Sequence, residues 1–220
     1  LSDRITSIPK QCVFACDELK TVNIPASVTT IKSQAFYAYY GLTTVNIEDT
    51  DKPIYKDDDG QWIAGRESRL TRIESSAFDY ARKLTTINLP DSITFIGTYA
   101  FRENAIDHMT VPAGITSIGS NTFAYMLKLR SVSFSGHKTT AIGGNAFMGC
   151  SLLEKITLPP DVTTLSSNAF INCSSLKSVA IDVYPDDYED EAKRGKSDLQ
   201  SIIQSAFSGC AKLENIGLAT

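Results

Sequence analysis

The feature that most constrains this chain is a phrase that it repeats eight times. Each copy has an apolar residue, three small or polar residues, Ala or a substitute, Phe, then Leu and an Ile-x-Leu pattern. Successive copies lie 22 to 24 residues apart, except for two longer steps of 42 and 37 residues. A unit of this length predicts a solenoid of about eight stacked coils, interrupted by two insertions. The register is fixed by Phe14, Phe36, Phe78, Phe101, Phe123, Phe147, Phe170 and Phe207.

One copy shows how each coil is expected to fold. In residues 84–90, Ile87 and Leu89 alternate with Thr86 and Asn88, the two-residue period of a strand with one buried face. The apolar residues that follow return inward across a short second segment. Because successive copies run in one direction, the strands should stack as a parallel sheet on one face of a right-handed coil. No copy can bury its apolar residues without neighbours.

Two pairs of segments carry a resemblance to a known family. Residues 142–150 (IGGNAFMGC) precede LEKITLP at 153–159, and residues 165–173 (LSSNAFINC) precede LKSVAI at 176–181. They resemble the BspA-like class of leucine-rich repeats, and the resemblance covers nearly the whole chain outside the insertions. It implies an α/β-type, β-rich leucine-rich repeat solenoid. It also implies a surface or secreted protein of bacteria or some protozoa that adheres to host proteins or to other cells.

The two insertions, residues 48–69 and 182–198, hold most of the acidic charge. They carry net charges of −3 and −4, whereas the whole chain carries −4, so the repeats themselves are slightly basic. Both follow a predicted strand end, at Ile47 and Ile181, and should therefore emerge along one edge of the sheet. We interpret residues 1–220 as a single domain whose two ends match partial repeats, as expected for part of a longer array.

No group of residues predicts catalysis or a cofactor. Cys150, Cys173 and Cys210 occupy one equivalent position in three coils, which favours small buried side chains over a disulfide or metal ladder. The two histidines, His108 and His137, lie in different repeats without ligand spacing. No phosphate loop or nucleophile elbow occurs. The acidic run at residues 57–59 lacks the spacing of a calcium loop and is better explained as a solvated turn.

Aromatic residues in the insertions are the first candidates for partner binding. Tyr55 and Trp62, the chain's single tryptophan, lie in the first insertion, and Tyr184 and Tyr188 lie in the second. Large rigid side chains of this type supply much of the binding energy of protein interfaces. The surrounding acids would speed encounter with a basic partner. We therefore expect the insertions to contribute more to binding than the sheet.

The outer face of the predicted sheet is the second candidate. It carries Thr86, Asn88, His108 and Thr110 among other small polar residues. Solenoids often bind partners on this face, but the face has no aromatic anchors and few charges. Its composition fits a surface that merely suits a sheet equally well.

Six tyrosines near the repeat Phe of copies two to five form a separate group. The sequence favours a packing role for most of them, and the alternative is that some form an exposed aromatic patch. They are Tyr37, Tyr39, Tyr40, Tyr80, Tyr99 and Tyr125.

Two classes of function remain. An isoelectric point near 5.2 without a basic cluster disfavours nucleic acid, and no stretch of 18 apolar residues is present to span a membrane. The first class is a non-enzymatic module that binds a protein or glycan on a host or neighbouring cell. The second is an architectural spacer with no ligand of its own.

Overall fold

The computed structural model describes residues 4–13, 18–51, 56, 59–61, 64–185 and 188–218, which form a stack of coils. Each coil, numbered here by its repeat Phe from coil 1 (Phe14) to coil 8 (Phe207), has a long-strand position after the Phe and a short strand before it. The long-strand positions are β2 (Thr21–Ile24), β4 (Thr44–Ile47), β6 (Thr86–Ile87), β8 (His108–Val111), β10 (Ser131–Phe134), β12 (Lys155–Leu158), β14 (Ser178–Ile181) and β16 (Asn215–Leu218). The short strands are β1 (Ser7–Ile8), β3 (Thr30–Ile31), β5 (Arg72–Ile73), β7 (Phe95–Ile96), β9 (Ser117–Ile118), β11 (Ala141–Ile142), β13 (Thr164–Leu165) and β15 (Ser201–Ile202).

Strands pair in parallel with the equivalent strand of the neighbouring coil. Val22 pairs with Val45, and Val45 pairs with Ile87, so equivalent repeat positions lie side by side. The long-strand positions form the sheets β2-β4-β6, β8-β10 and β12-β14-β16, and the short strands form β1-β3-β5-β7 and β9-β11-β13-β15. The predicted parallel sheet is confirmed. The sequence predicted a single parallel sheet, on one face. A second set of strand pairs is present as well, because the inward-turning segment before each Phe also pairs from coil to coil.

Side chains in the long strands alternate as predicted, with exposed and buried positions in turn along β2, β8 and β12. Strand β6 is shorter than the sequence pattern suggested, because it ends at Ile87 and leaves Asn88 and Leu89 beyond it. It pairs with β4 on one side and not with β8 on the other. Among the described residues the only helix is the 3-10 turn Glu191–Lys193, so turns close the coils.

The repeat Phe side chains form a continuous stack through the core. Neighbouring rings from Phe36 to Phe207 have centroids 5.0 to 5.9 Å apart and planes within 20° of parallel. Those of coils 2 to 7 are almost fully buried, and Phe207 is partly buried. Such stacking adds to the free energy gained by burying the rings. The predicted Phe ladder is therefore the core of the array, although Phe14 lies outside the described residues.

The backbone beside each Phe forms a second ladder. In coils 2 to 8 the residues two before and two after the Phe are left-handed, with φ between 52° and 75°. Their amides and that of the Phe point at the next coil; for example, Phe78 N–H donates to the Ala100 carbonyl at 2.9 Å and Tyr80 N–H to the Arg102 carbonyl at 3.0 Å. All three bonds recur at each junction from coils 2 and 3 to coils 6 and 7, including those where the long strands do not pair. Between coils 7 and 8 the amides of Phe170 and Asn172 make the last two.

In coils 6 to 8 the residue three positions after the Phe is a cysteine whose thiol donates to the backbone of the preceding coil. The thiols of Cys150 and Cys173 are buried and donate to the carbonyls of Phe123 and Phe147, each at 3.1 Å. Cys210 makes the equivalent bond at 3.0 Å but is partly exposed. Of the cysteines within the described ranges, none forms a disulfide. The interpretation as small packed side chains therefore fits Cys150 and Cys173 better than Cys210.

A buried carboxylate closes the base of the first insertion. Glu48, which has no exposed surface, accepts hydrogen bonds from the Ala26 amide at 2.9 Å and from the Arg66 guanidinium at 2.9 Å through each of its oxygens. Burial acts to raise the pKa of Glu48, but the hydrogen bonds from Arg66 and Ala26 outweigh it and the pKa is lowered. Residues 48 and 66 are thus held together across the insertion.

Phe123→Ala should destabilise the protein by about 3 to 5 kcal/mol, because it empties a fully enclosed ring site in the middle of the stack. Phe207→Ala should cost less, since that ring is only partly buried. Urea unfolding followed by circular dichroism compares the two. If both variants lost equally little free energy of unfolding, close to zero, the Phe stack would not be the core.

The thiols should differ in reactivity. Burial raises the pKa of Cys150 to about 12, and contact with the Cys210 thiol together with burial raises the pKa of Cys173. Both should resist a thiol reagent until the protein unfolds. Cys210, whose pKa the Cys173 contact lowers, and the exposed Cys12 should react in the folded state. Peptide mass spectrometry of the labelled protein identifies the sites, and early labelling of Cys150 would contradict this order.

The Ala26 amide should report the titration of Glu48. Because the folded pKa is lowered, the stability that Glu48 provides is complete above the ordinary glutamate pKa of about 4.3 and is lost as the pH falls through the lower folded value. We expect the Ala26 amide proton shift, followed by NMR, to have a midpoint below about 4.3. Glu48→Gln should abolish the transition. A midpoint at or above the ordinary glutamate pKa would show that the hydrogen bonds from Ala26 and Arg66 do not stabilise the Glu48 carboxylate.

Candidate binding surface

Exposed aromatic residues gather on the turn side of the solenoid, the side formed by the residues around each repeat Phe. Tyr37, Tyr40, Tyr99 and Tyr125 are 36 to 55% exposed. The expectation that most of these tyrosines serve packing is therefore wrong. It holds for Tyr39, which is buried and donates from its hydroxyl to the Leu19 carbonyl at 2.8 Å.

Three tyrosines occupy left-handed backbone positions. Tyr80, Tyr99 and Tyr125 have φ of 60°, 59° and 56°. This conformation costs an ordinary L residue about 1 to 2 kcal/mol, whereas Gly and Asn tolerate it. Large side chains are thus present where the backbone disfavours them. Gly or Asn occupies six of the other such positions: Asn121, Asn145, Gly149, Asn168, Asn172 and Gly209. The remaining five hold Gln34, Ala38, Ser76, Glu103 and Ser205.

Arg102 lies between two of these rings. Its guanidinium carbon is 4.5 Å from the centroid of Tyr80 and 4.6 Å from that of Tyr99. The same group donates to both oxygens of the buried Asp79, at 2.9 and 3.0 Å. Burial raises the pKa of Asp79 despite these bonds, and the bonds raise the pKa of Arg102. The arginine is therefore held rigidly, with its charge stacked between aromatic faces.

A second arginine extends this group. Arg82 donates to Glu103 at 2.7 and 3.0 Å and lies 5.3 Å from the centroid of Tyr80. Tyr37 meets Tyr80 edge to face, with centroids 5.9 Å apart. We call the resulting patch the tyrosine–arginine surface; it comprises Tyr37, Tyr40, Tyr80, Arg82, Tyr99 and Arg102.

Sequence reasoning missed both arginines. The contacts join neighbouring coils, so no single repeat shows them: Arg102 is one residue after its Phe, and Tyr80 is two residues after the preceding Phe. Aligning the repeats in register would have placed these residues side by side. The signal was present in the sequence as an Arg or Tyr at adjacent turn positions of coils 2 to 4.

The sheet face has the composition that the sequence suggested. Thr86, Asn88, His108 and Thr110 are all exposed. His108 Nδ1 lies 2.6 Å from the hydroxyl oxygen of Ser131. The Thr110 hydroxyl likewise lies 3.0 Å from that of Ser133. The polar groups of His108 and Thr110 are therefore already hydrogen-bonded to the neighbouring strand. The role of the sheet face in binding stays a prediction.

A cleft interrupts this face where β10 and β12 do not pair. It has a volume of about 420 Å³. Ser133 and His137 line one side, and Lys155 and Thr157 line the other. The cleft is open and its lining is mixed, because Phe134 and Leu158 lie beside the hydrogen-bonding groups.

The second insertion is tied down through Tyr184. Its ring is 1% exposed, and its hydroxyl hydrogen-bonds to Asp161 and, at 2.8 Å, to Asp198. Lys193 Nζ lies 3.1 Å from the same hydroxyl and 2.8 Å from Asp198. Burial and the two carboxylates raise the pKa of Tyr184. The prediction that Tyr184 offers an exposed contact is therefore wrong, because the residue fixes the insertion to the preceding coil.

For the other three aromatic residues of the insertions the predicted role in binding is not tested. Tyr188 is partly exposed and packs against Tyr184 with ring centroids 4.5 Å apart, so its role in binding stays a prediction. Tyr55 and Trp62 lie outside the described residues.

Within the described ranges, no three His, Cys, Asp or Glu side chains come together in a way that could hold a metal ion. No helix in the same part of the chain has the length and apolar character needed to cross a membrane.

The stacked coils are similar in fold to solved leucine-rich repeat proteins. That of T. pallidum gives a TM-score of 0.65 at 22% identity, covering 89% of this chain and 78% of that one. That of Bacteroides ovatus gives 0.55 at 22%, covering 98% and 59%. That of Eubacterium ventriosum gives 0.51 at 21%, covering 96% and 60%. The chain thus spans about three fifths of the length of the last two. At these identities the likeness shows the fold alone.

No curated protein matches the chain. A family model does: the BspA type leucine-rich repeat region matches residues 1–57 and 67–186, in six copies. The match covers most of the repeats described above and confirms the resemblance carried by the segments around Phe147 and Phe170. The chain belongs to the BspA-type leucine-rich repeat family.

Proposed function

We propose that this chain is a non-enzymatic binding module that acts at a cell surface and contacts a protein partner through the tyrosine–arginine surface. The observation that carries this proposal is the surface patch in which the Arg102 guanidinium is held between the rings of Tyr80 and Tyr99 and bonded to Asp79. Family membership supports a role in interaction or adhesion.

The composition of the surface suits a protein interface. Tyr and Arg are enriched among the residues that dominate binding energies, and they act best when their conformations are fixed before binding. Arg102 is fixed by Asp79 and two aromatic rings, and Arg82 by Glu103. Binding would therefore cost little conformational entropy, because these side chains are already ordered before the partner arrives.

The charge balance of this surface suits a partner with few charges of its own. Arg82 and Arg102 are each paired with a carboxylate, so neither has to be neutralised by the partner. The contribution of the insertions, through Trp62, Tyr55 and Tyr188, stays a prediction beside this proposal. So does the involvement of a glycan on a host or neighbouring cell.

The test uses residues that the array itself contains. The triple variant Tyr37→Ala, Tyr80→Asn, Tyr99→Asn replaces each ring with a residue found at the same position of another coil, and Asn should relieve backbone strain. We expect at least about tenfold weaker binding to whichever immobilised extracellular-matrix protein the wild type binds, measured by biolayer interferometry. The melting temperature should not fall.

The matched control is Thr86→Ala, Asn88→Ala, Thr110→Ala on the sheet face, which should bind like the wild type. Loss of binding only in this control would assign the interface to the sheet face. If the wild type binds none of a broad panel of matrix proteins and cell surfaces, the spacer hypothesis is favoured instead.

A further inference from the structure

Coil 4 contains a notch that results from a missing residue. In coils 2, 3 and 5 to 8 the Leu that closes the turn follows the repeat Phe by six residues, whereas Ile106 follows Phe101 by five. The shortened turn lies between full-length turns above and below. It leaves a depression with a volume of about 530 Å³, within the range of small-ligand sites. The notch is lined by Arg82, Glu103, Asn104, Ala105, Tyr125, Leu127 and Lys128.

The floor of the notch carries an unsatisfied acceptor. Asn104 occupies the position that Cys150 and Cys173 hold in later coils, and its Nδ2 donates to the Phe78 carbonyl at 2.8 Å, as those thiols do to theirs. The residue is 4% exposed. Its Oδ1 is buried and accepts no hydrogen bond from any residue that the structure describes. A buried acceptor without a donor costs free energy that a bound donor would recover.

The choice of Asn at this position is informative because a simpler residue is available. A Cys would satisfy the same carbonyl and add no second polar group, as it does two coils later at Cys150. Asn104 adds an acceptor in a place where the fold supplies nothing to match it. The notch is the opening nearest to this group, since Asn104 lines it.

The walls combine an aromatic ring with charged groups. The Tyr125 ring lies directly over Gly149, where an added Cβ would come within 2.7 Å of it. Leu127 is largely exposed beside it. On the rim, Arg82 and Glu103 form an ion pair, and Lys128 is exposed. The notch thus offers an apolar wall, hydrogen-bond donors and hydrogen-bond acceptors within one small volume.

We propose that this notch binds one residue of a neutral saccharide. A hydroxyl both donates and accepts, so a ring bearing several hydroxyls can donate to Asn104 and Glu103 while accepting from Arg82 and Lys128. The C–H face of the same ring can lie against Tyr125 and Leu127, since these side chains present apolar surface. Arg82 and Glu103 neutralise each other, so a charged ligand would find only the exposed Lys128 to pair with.

This proposal does not depend on the protein partner proposed above. The notch adjoins the tyrosine–arginine surface through Arg82, but the residues that carry the argument, Asn104 and Tyr125, are outside that surface. Loss of matrix-protein binding in the tyrosine variant would leave the notch intact. The two proposals can therefore fail separately.

The test measures saturation-transfer NMR with the full chain and four probes: the methyl glycosides of glucose, galactose and mannose, and N-acetylglucosamine. We expect transfer to the ring C–H protons of at least one sugar. Asn104→Cys keeps a donor for the Phe78 carbonyl and removes the Oδ1 acceptor together with the longer Nδ2 bond to the Ala81 carbonyl at 3.4 Å. Tyr125→Gly uses the residue found at position 149. Each should weaken the affinity about tenfold or more. The unchanged fold of both variants is checked by thermal unfolding.

Two controls make the result decisive. Thr110→Ala on the sheet face should bind the sugar like the wild type. N-acetyl-glycine amide, a capped peptide unit that also donates and accepts, should give no transfer. The proposal is overturned if none of the four sugars binds, if both notch variants bind as well as the wild type, or if the peptide probe binds and the sugars do not.

Discussion

Stacking of one Phe ring per coil, together with the left-handed backbone on either side of it, holds the array in register. Both kinds of strand sheet are interrupted, the long-strand positions at two junctions and the short strands at one. The rings and their flanking amides continue across all three interruptions. The side of the solenoid without strands is therefore the more continuous one, and the strands follow the register that it sets.

Because this ladder uses backbone amides, it leaves the side chains of the turn side free to vary. Asn and Gly at the left-handed positions reduce the strain, as at Asn145 and Gly149. Coils 3 to 5 each have a tyrosine at one of these left-handed positions, and coil 4 also has one residue fewer in its turn. The tyrosine–arginine surface and the notch lie at these departures. In a repeat protein, the places where a coil differs from its neighbours without a benefit to packing are the places to look for binding.

The repeat Phe, the alternating strands and the buried thiols could be predicted because each depends on residues spaced regularly along the sequence. The burial of Tyr184 could not, since it depends on Asp161 in the preceding coil and Asp198 across the insertion. The stacking of Arg102 also joins two coils. The second strand ladder was missed because two-residue strands have too short a pattern to show a period. The shortened fourth copy was visible, but only the stacked coils show that it opens a notch.

The direction of the left-handed ladder has an electrical consequence. At each junction its N–H groups point towards the later coil and its carbonyls towards the earlier one, as from Phe123 N–H to the Ala146 carbonyl. Strand dipoles largely cancel within a sheet, but these peptide dipoles add along the solenoid axis, as they do in a helix. The turn side is thus polarised along its length although it contains no α-helix among the described residues. A partner with charge concentrated at one end would bind along it in one orientation rather than the reverse.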